Sequence, residues 1–565
     1  MTRGAPRAAG WNVFMDRHTG IVGLLLVILG GFLPGAGQAV ADCPSARVTP
    51  LAELRAGRVA QDRNVTIEGI VTGVFTGADR LGGFFLQDGD TPPVGLFVYA
   101  PALAGREPMP GDRVQVTGRF ARFHERPQVS RITDVNVCAH VGLPHPVELR
   151  LPQDAARLVD LQDVKVRLDQ TLTVTSNAQL GRYGSLHLAA GGRLFRPGQG
   201  AMQHRDANMA RQIMLDDGSY RANPRPIPYL DAGGTRRVGD QIEGLTGILT
   251  HAFNAHRIHP TRSPVFRSAN PRPPPPAAPD GALRVATLNV ENYFLTLGSR
   301  GASSRAELQR QRQKLTAAVR GIDADVISLT EVENHGRALD DLVATLNRGL
   351  SDRQRYRAVA NPDAGTDAIR NALLYRPARV TLLGTDADLD PVHNRAPLLA
   401  WFRPAGAGDP FGVVAVHFKA KVGCPSEGDV DRGQGCWNEL RTAQSRRLLD
   451  WLERVRRDGA PVLVAGDINA YAAEDPVVTL LAAGKRDLTA PHLSPPRRYT
   501  YVFRGEAGQL DYLLAGPALA GQVSRAGIWH INADEPRFLG FSGRTPVAGP
   551  WRSSDHDPVW ADIAR

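Results

Sequence analysis

The sequence predicts an α/β fold for the C-terminal half of the chain and two small β domains before it. Strands and helices alternate from about residue 281 onward, whereas short strands separated by turns fill the preceding region. A run of prolines divides the two regions and predicts a stiff, extended linker. The predicted segments are a leader, a first β domain, a second β domain, the linker and the α/β domain, at 1–41, 42–145, 146–268, 269–280 and 281–565.

The composition is typical of a folded protein with several hydrophobic cores and excludes a largely disordered chain. The chain has 565 residues, of which 42% are hydrophobic and 22% are charged. Its formal net charge is +10, and it falls to +8 without residues 1–41, which carry three arginines and one aspartate. Arginine supplies almost all of the positive charge and suits phosphate binding. A genomic bias towards arginine codons explains this excess equally well.

The first 41 residues have the pattern of a Sec-type signal peptide. Three arginines precede an apolar run at 21–33, which ends at Pro34 and is followed by small residues at 39–41. A membrane anchor is the alternative, but it needs about 20 apolar residues and this run is shorter. We therefore predict export to the periplasm or the medium, a mature chain that begins at Asp42, and no stable membrane anchor.

The four cysteines predict two disulfide bonds, because an even number in an exported chain is typical of an oxidising compartment. Cys424 and Cys436 enclose a short polar loop with little core of its own, and closing it contributes about 3 kcal/mol in the chain-entropy model. Cys43 and Cys138 would then join the two ends of the first β domain. Zinc binding is the alternative, although no Cys-x-x-Cys pair supports it. The acidic loop between the second pair is either a calcium loop or simply a solvated loop.

The first β domain has the pattern of a small barrel, with strands predicted at 65–75, 83–87, 94–99 and 112–118. A second β-rich segment, from about 164 to 266, echoes part of the first and predicts a second barrel. The pattern resembles OB-fold modules, which bind a nucleic-acid strand in a groove. The corresponding contact residues would be Phe75, Phe84, Phe85, Arg119, Arg122 and Arg126. The alternative is that the phenylalanines fill the barrel core.

Polar residues follow the buried strands of the α/β domain. Asn289, Glu331, His417 and Asp467 each stand at the end of an apolar run, and residues 554–558 place a carboxylate beside an imidazole. Amphipathic helices are predicted at 307–322, 339–350 and 448–455. Because strand ends meet at one edge of a sheet, we expect these side chains to line a cleft, where a charge requires a partner or a metal ion.

The order of the polar motifs resembles that of the endonuclease/exonuclease/phosphatase superfamily, of which deoxyribonuclease I is the familiar member. The motifs are TLNVENYF (287–294), LTEVEN (329–334), VHFKAK (416–421), GDIN (466–469), QLDYL (509–513) and SDHDP (554–558). The whole layout is similar to ExeM-type secreted bacterial nucleases, which carry an N-terminal OB-fold-like domain. The resemblance implies a C-terminal four-layer α/β sandwich, in which two packed mixed β-sheets are flanked by helices.

The resemblance implies a site for a divalent cation. Glu331 is the implied principal ligand, and Asn289 and Asp555 complete or neighbour the site. Mg²⁺ is the expected ion, with Ca²⁺ or Mn²⁺ as alternatives, because hard cations prefer carboxylate oxygens. The ion would clamp a phosphate oxygen and offset the charge that develops on it.

The resemblance also assigns the residues that handle protons and bind substrate. His556, oriented by Asp511, is the implied general base that activates water. His417 would protonate the departing oxygen or bind the scissile phosphate from the opposite side. Asp467 would orient or help deprotonate the nucleophile, and Asn469 would donate to the phosphate. Further substrate-binding residues would be Arg370, Asp367 and Lys419, and a role in a turn is the alternative for Asp367.

The sequence therefore predicts a secreted, metal-dependent nuclease that hydrolyses phosphodiester bonds of extracellular DNA, with action on RNA left open. The alternative is a phosphoesterase of the same superfamily that acts on inositol phosphates or sphingomyelin. The basic charge and the β domains favour nucleic acid, and no exposed apolar surface of the kind that lipid substrates need is indicated. A non-catalytic binding protein is disfavoured, because it has no use for acid and imidazole groups together. The oligomeric state is left open.

Overall fold

The computed structural model describes residues 43 and 47–564, apart from 78, 90–92, 104–105, 197–200, 279–280, 335, 362–363, 407 and 458. The predicted signal peptide and the predicted first mature residue, Asp42, lie outside the described residues. Within this part of the chain, no helix is long and apolar enough to cross a membrane. Residues 43–565 form one compact unit, and the domain boundaries predicted inside it stay predictions.

A closed barrel of five strands follows a short helix, α1 (Leu51–Arg55). The strands are β1 (Asn64–Phe75), β2 (Gly83–Gln87), β3 (Gly95–Tyr99), β4 (Asp112–Phe123) and β5 (Arg126–His140). They are hydrogen-bonded in the order β1-β2-β3-β5-β4, and the pairing of β4 with β1 closes the barrel. Phe84 is fully buried in the barrel interior. The OB-fold assignment stays a prediction.

The next segment contributes nine strands to a single sheet. They are β6 (Val147–Glu148), β7 (Lys165–Leu168), β8 (Leu172–Ser176), β9 (Leu186–Ala190), β11 (Gln212–Leu215), β12 (Gln241–Ile242), β13 (Leu245–Ala252), β14 (Ala255–Pro260) and β15 (Phe266–Arg267). Their order is β15-β12-β8-β9-β11-β14-β13-β7-β6. The remaining elements of this segment are α2 (Leu180–Tyr183), β10 (Leu194–Phe195) and α3 (Ala201–Ala210). The OB-like fold predicted for this segment also stays a prediction.

The nine-stranded sheet covers an outer face of the barrel. Phe75 and Phe85 form a buried cluster with Ile248 of β13. Arg126 of β5 donates to the buried Asp163 carboxylate at 2.7 Å. The interpretation of the phenylalanines as nucleic-acid contacts is therefore wrong, because protein atoms already cover their rings. Arg126 is likewise engaged with a carboxylate of the chain itself.

The C-terminal part of the chain contains two six-stranded sheets with mixed strand directions. Its strands are β16 (Leu283–Tyr293), β17 (Val326–Glu333), β18 (Arg357–Ala358), β19 (Ile369–Tyr375), β20 (Val380–Ala387), β21 (Leu398–Pro404), β22 (Phe411–His417), β23 (Val462–Asp467), β24 (Arg486–Asp487), β25 (Tyr501–Phe503), β26 (Glu506–Gly508), β27 (Asp511–Ala515), β28 (Val523–Ile528) and β29 (Val559–Ile563). The first sheet has the order β18-β19-β17-β16-β29-β28, and the second has the order β20-β21-β22-β23-β27-β24.

The two sheets pack face to face, and helices cover their outer faces. The helices are α4 (Arg305–Ile322), α5 (Ala338–Asn347), α6 (Asn438–Arg454) and α7 (Asp475–Ala482), whereas the short α8 (Pro517–Ala520) contributes Leu519 to the core between the sheets. Side chains of both sheets, such as Val326 and Leu463, form the core between them. A second core joins α4 and α5 to the first sheet, and a third joins α6 and α7 to the second sheet. The fold of this part is therefore mixed α/β, as predicted.

Helix α4 shows why the predicted helices form where they do. Ser304 caps its N-terminus, because the Ser304 hydroxyl accepts a hydrogen bond from the Glu307 backbone N–H at 3.2 Å. Its predicted apolar stripe, which includes Leu315 and Val319, is buried against the first sheet. The helix ends at Asp323, whose φ of 58° stops further helical hydrogen bonding.

A buried ionic network attaches the nine-stranded sheet to the C-terminal part. Arg193 donates to Asp534 at 2.8 Å, and Arg237 contacts both Asp534 and Glu535. The side chains of Arg237, Asp534 and Glu535 are at most 2% exposed. Arg272 of the proline-rich segment also donates to Glu535, at 2.8 Å. Residues 271–278 of the proline-rich segment form neither a helix nor a strand, and Arg272 holds them against the α/β domain.

Both predicted disulfide bonds are confirmed, between Cys43 and Cys138 and between Cys424 and Cys436. In the loop that the second bond closes, the Asp429 carboxylate accepts hydrogen bonds from two backbone N–H groups in the first turn of α6. The Asp431 carboxylate accepts from two further backbone N–H groups of the loop. These carboxylates therefore have structural partners, which favours the solvated-loop alternative over a calcium loop.

The ionic network predicts a large loss of stability when its central arginine is removed. We expect Arg237→Ala to lower the free energy of unfolding by about 3–5 kcal/mol, because it leaves Asp534 and Glu535 partly unpaired in the interior. Urea unfolding of the chain without residues 1–41 measures this. Arg456→Ala is the control, because Arg456 lies just beyond the end of α6, forms an exposed ion pair with Glu453, and should change stability little. Equal stability of the two variants would contradict the structural role of the network.

Candidate active site

Three neighbouring strands bring an acid–imidazole row together at one edge of the second sheet. β22 ends at His417 and β23 ends at Asp467, and these residues are register partners in a parallel pair. Asp511 begins β27 and is the antiparallel partner of Asp467. The His417 Nε2 lies 3.6 Å from the Asp467 Oδ2. The structure thus places these three predicted site residues side by side.

The glycine of the GDIN motif is required by the close approach of β22. A Cβ atom at Gly466 would lie 1.9 Å from the backbone oxygen of Val416. Beyond Asp467 the chain turns sharply, because Asn469 has a φ of 53° and its backbone N–H donates to the Asp467 Oδ1 at 2.8 Å. The Asn469 side-chain amide donates to the Phe418 carbonyl at 3.1 Å. The second N–H of this amide is left for the predicted hydrogen bond to a phosphate.

Asn289 joins the two sheets at the cleft. Its amide donates to Glu331 at 3.1 Å and to Asp467, on the other sheet, at 3.3 Å. Glu331 has a φ of 66°, at a point where the register of β17 against β19 shifts. Such an irregularity turns a side chain away from strict strand alternation. The second Glu331 oxygen accepts from the Asn292 backbone N–H at 3.0 Å, which fixes the carboxylate.

Three carboxylates, those of Glu291, Glu331 and Asp555, interact with one another near Asn289. Burial, followed by the charge of Asp555, raises the pKa of Glu291 to about 7, and Arg552 opposes this shift. Burial and Asp555 likewise raise the pKa of Glu331. Glu291, Glu331 and Asp555 form no ion pair within the described residues. Negative carboxylates that lie close together repel one another unless a cation neutralises them. Carboxylate oxygens are also the ligands that hard divalent cations prefer. The residues present therefore fit a divalent cation.

A second group of potential ligands lies beside these carboxylates. Within the described part of the chain, ligand atoms of Asp467, Asp511 and His556 lie within 4.8 Å of one another. However, the His556 Nδ1 donates to the Asp511 Oδ2 at 2.7 Å, and Asp467 already accepts from the Asn469 backbone. One atom of each of these three residues is thus already engaged, although the Asp511 Oδ1 has no hydrogen-bond partner among the described residues. The carboxylate cluster around Glu331 is therefore the better candidate for the cation.

The neighbours of His556 hold it in its protonated form. Burial alone would lower the pKa of His556, but Asp511 at 2.7 Å and Asp467 at 4.0 Å raise it well above the ordinary value. The Asn532 amide donates to the His556 carbonyl at 2.6 Å and so fixes the loop. The Tyr501 ring packs against the imidazole, with 4.7 Å between ring centroids. Position and charge of His556 are thus both determined by its surroundings.

His417 is a neutral imidazole at ordinary pH. Burial lowers its pKa well below the usual value, and the charge of Arg395 adds to this. Its Nδ1 has no hydrogen-bond partner among the described residues. The Arg395 Nε donates to the His417 carbonyl at 3.1 Å, and the Arg395 Nη1 donates to Asp367 at 3.2 Å. Asp367 therefore reaches His417 indirectly, through Arg395.

Two predicted substrate-binding residues lie outside this hydrogen-bonded group. Arg370 donates to the Asn361 carbonyl at 2.8 Å and has no ion-pair partner within the described residues. The Lys419 ammonium lies 5.1 Å from the centre of the Trp437 ring. Neither side chain hydrogen-bonds to the acid–imidazole row in the part of the chain that is described. Both are cations without a paired carboxylate, which is compatible with an anionic substrate.

Four residues of this site are missing from the sequence prediction, and they are Glu291, Arg395, Tyr501 and Asn532. Glu291 belongs to the TLNVENYF motif and follows Asn289 by two residues, so the motif contained a usable signal. Arg395 and Asn532 lie in loops outside all the motifs. Tyr501 occupies a three-residue strand, which is too short for a periodic pattern.

Residues 286–556 match the sequence profile of the Endonuclease/Exonuclease/phosphatase family. The C-terminal part of the chain, from residue 286 to residue 556, is therefore identified as a member of this family, whose members are hydrolases that act on phosphoester bonds. No curated protein sequence matches the chain at a significant level.

Several solved structures are similar to half of this chain. A humanized D. rerio TDP2 has 17% identity and a TM-score of 0.36, and the match covers 50% of this chain and 99% of that one. The human Nocturnin catalytic domain has 16% identity and a TM-score of 0.35, with 50% and 94% covered. A mannosyl-6-phosphatase from Bacteroides thetaiotaomicron has 16% identity and a TM-score of 0.35, with 50% and 99% covered.

The contact between His556 and Asp511 predicts that the pKa of His556 depends on the charge of Asp511. Asp511→Asn keeps the shape of the side chain but removes the charge that raises the pKa of His556. We therefore expect the His556 pKa to fall, so that the imidazole loses its proton at a lower pH than in the unmodified chain. NMR titration of the metal-free protein measures this, with the resonance assigned by comparison with His556→Gln. An unchanged pKa in Asp511→Asn would show that Asp511 does not control this imidazole.

Proposed function

We propose that this chain is a secreted, divalent-metal-dependent nuclease that hydrolyses phosphodiester bonds of extracellular DNA. One observation carries the proposal. Asp467 lies between two imidazoles, at 3.6 Å from the His417 Nε2 and 4.0 Å from the His556 Nδ1, and it accepts from Asn289 beside the carboxylate cluster. Groups that move protons and groups suited to a cation thus meet at one point, as hydrolysis of a phosphodiester requires.

Glu331 and Asp555, with Asn289 as their neighbour, are the residues that would hold the cation. When bound, a divalent ion supplies positive charge that offsets the charge developing on the phosphate oxygens. Glu291 adjoins the same group and is a further ligand candidate. The Asn289 amide holds the Glu331 carboxylate in place, because it donates to one of its oxygens.

In this proposal Asp467 and the unprotonated form of His556 are the pair that accepts the proton of the attacking water, and this form is populated only above the raised pKa of the imidazole. Asp511 fixes the tautomer and orientation of His556 through the 2.7 Å hydrogen bond to its Nδ1, so that the Nε2 is the atom left for exchange. Asp467 is fixed by the Asn469 backbone N–H on one oxygen and by the Asn289 amide on the other. Both groups are therefore held in position before substrate arrives.

His417 binds the scissile phosphate in this proposal. The sequence left two roles open, and the neutral state of His417 argues against donation of a full proton to the leaving oxygen. A neutral imidazole still offers one N–H to a phosphate oxygen. Arg395 holds the backbone on both sides of this position, because it donates to the carbonyls of His417 and Phe418.

Nucleic acid and secretion are supported by features outside the cleft. The chain without residues 1–41 has a formal charge of +8, and a basic protein attracts a polyanion over long distances. Arg370 and Lys419 have no carboxylate to neutralise them within the described residues. The two disulfide bonds are typical of proteins outside the reducing cytosol.

The experiment is a cleavage assay with the mature chain on supercoiled plasmid, linear duplex, single strands and RNA, with and without chelator. We expect chelator to abolish cleavage of DNA. We expect His556→Gln to lower the rate by at least about 100-fold, because a positioned proton acceptor is lost. Glu331→Gln should raise the Mg²⁺ concentration for half-maximal rate by at least about tenfold.

Glu439→Gln is the matched control, because Glu439 is exposed at the start of α6 and pairs only with Arg432 in the described part. Cleavage that survives chelator and both site variants would reject the mechanism. Hydrolysis of inositol phosphates or sphingomyelin without cleavage of any nucleic acid would instead support the alternative phosphoesterase.

A further inference from the structure

A row of aromatic rings leads from His556 to the protein surface along β25. The Tyr501 ring packs on the imidazole of His556 at 4.7 Å. The Phe503 ring follows at 6.5 Å from the Tyr501 ring, and the two planes are only 16° apart. Because residues two apart in a strand point to the same face, Tyr501 and Phe503 stand side by side on one face of β25. We call the side chains of His556, Tyr501 and Phe503 the aromatic row.

The outer end of the aromatic row is open and positively charged. Phe503 is 41% exposed, which is unusual for a phenylalanine inside a strand. The Arg504 guanidinium lies 5.2 Å from the centre of the Phe503 ring, and Arg504 forms no ion pair within the described residues. Planar rings with an unpaired arginine beside them are the components of surfaces that bind single-stranded nucleic acid.

The strand that carries the row is held rigidly. β25 pairs with β26 through a tight turn at Arg504 and Gly505, whose φ values of 52° and 86° suit a two-residue hairpin. β10, from the region of the nine-stranded sheet, pairs with the other edge of β26. Arg196 donates to Glu506 of β26 at 2.9 Å, and Asn208 donates to the same carboxylate at 2.8 Å. The rings are thus supported from two parts of the fold.

We propose that the aromatic row is a stacking surface for the bases of unpaired nucleotides that flank the bond to be cleaved. This inference rests on the proposed nuclease function and adds a substrate preference to it. A base stacked on Phe503 would lie two residues along β25 from Tyr501, which contacts His556. A nucleic-acid strand bound to the aromatic row would therefore approach His556 with its bases against β25. The bases of a duplex are stacked on one another, and the row therefore favours single strands or frayed ends.

Binding of oligonucleotides tests the inference without any cleavage. The mature chain is titrated, in the presence of chelator, into a fluorescein-labelled single strand and into the same strand with abasic sites in place of its bases. We expect Phe503→Leu to reduce the preference for the strand with bases by roughly five- to hundredfold, because stacking on an aromatic face is lost. Phe503→Trp should restore it.

Phe253→Leu is the matched control. Phe253 is 88% exposed at the tip of the β13–β14 hairpin, and Arg257 lies 5.4 Å from its ring, so Phe253 shares the exposure of Phe503 and a nearby arginine, which is here paired with Asp216. Its replacement should leave the preference unchanged. A thermal melt of each variant verifies that it is folded.

The outcomes separate the inference from the proposed function. An equal preference for bases in Phe503→Leu and the unmodified chain overturns the stacking surface, even if the protein cleaves DNA. A lost preference supports it, whether or not the unmodified chain cleaves nucleic acid when Mg²⁺ is added. Absence of all cleavage in that second assay counts against the nuclease function alone.

Discussion

The pairing of β23 with β22 and β27 is the constraint on which the site depends. It places His417, Asp467 and Asp511 in one row of the sheet, so their spacing is set by the distance between strands. Only a glycine fits at position 466, because the backbone of β22 occupies the space of a Cβ atom. Side chains held by three paired strands have little freedom, which is the condition for a preorganised catalytic group.

The contact between the two sheets completes the site. Asn289 reaches from the first sheet to Asp467 of the second, and the Ser328 hydroxyl donates to a backbone carbonyl of β23 at 3.0 Å. The carboxylate cluster belongs mostly to the first sheet and the imidazoles to the second sheet and the C-terminal loop. Their juxtaposition therefore depends on the packing of the core between the sheets, which no single motif determines.

Local patterns explain what the sequence could predict. An apolar run followed by a polar residue identified Asn289, Glu331, His417 and Asp467, because a buried strand leaves its polar neighbour at the sheet edge. The bulge that turns Glu331 into the cleft has no such pattern, since a positive φ at a glutamate is imposed by the surrounding structure. Contacts between segments that are distant in the sequence also have no local pattern. The burial of Phe85 against Ile248 of the nine-stranded sheet is the clearest example.

The β domains influence the site through their attachment to the C-terminal part. Asp534 accepts from Arg193 and from the Tyr499 hydroxyl, and the Tyr499 ring stacks on His530 at 4.1 Å. His530 in turn donates to Asp557, the neighbour of His556. A chain of contacts therefore runs from the nine-stranded sheet to the loop that contains His556. The segment of the nine-stranded sheet therefore helps to hold that loop and β25 in place, through Arg193 and through the pairing of β10 with β26.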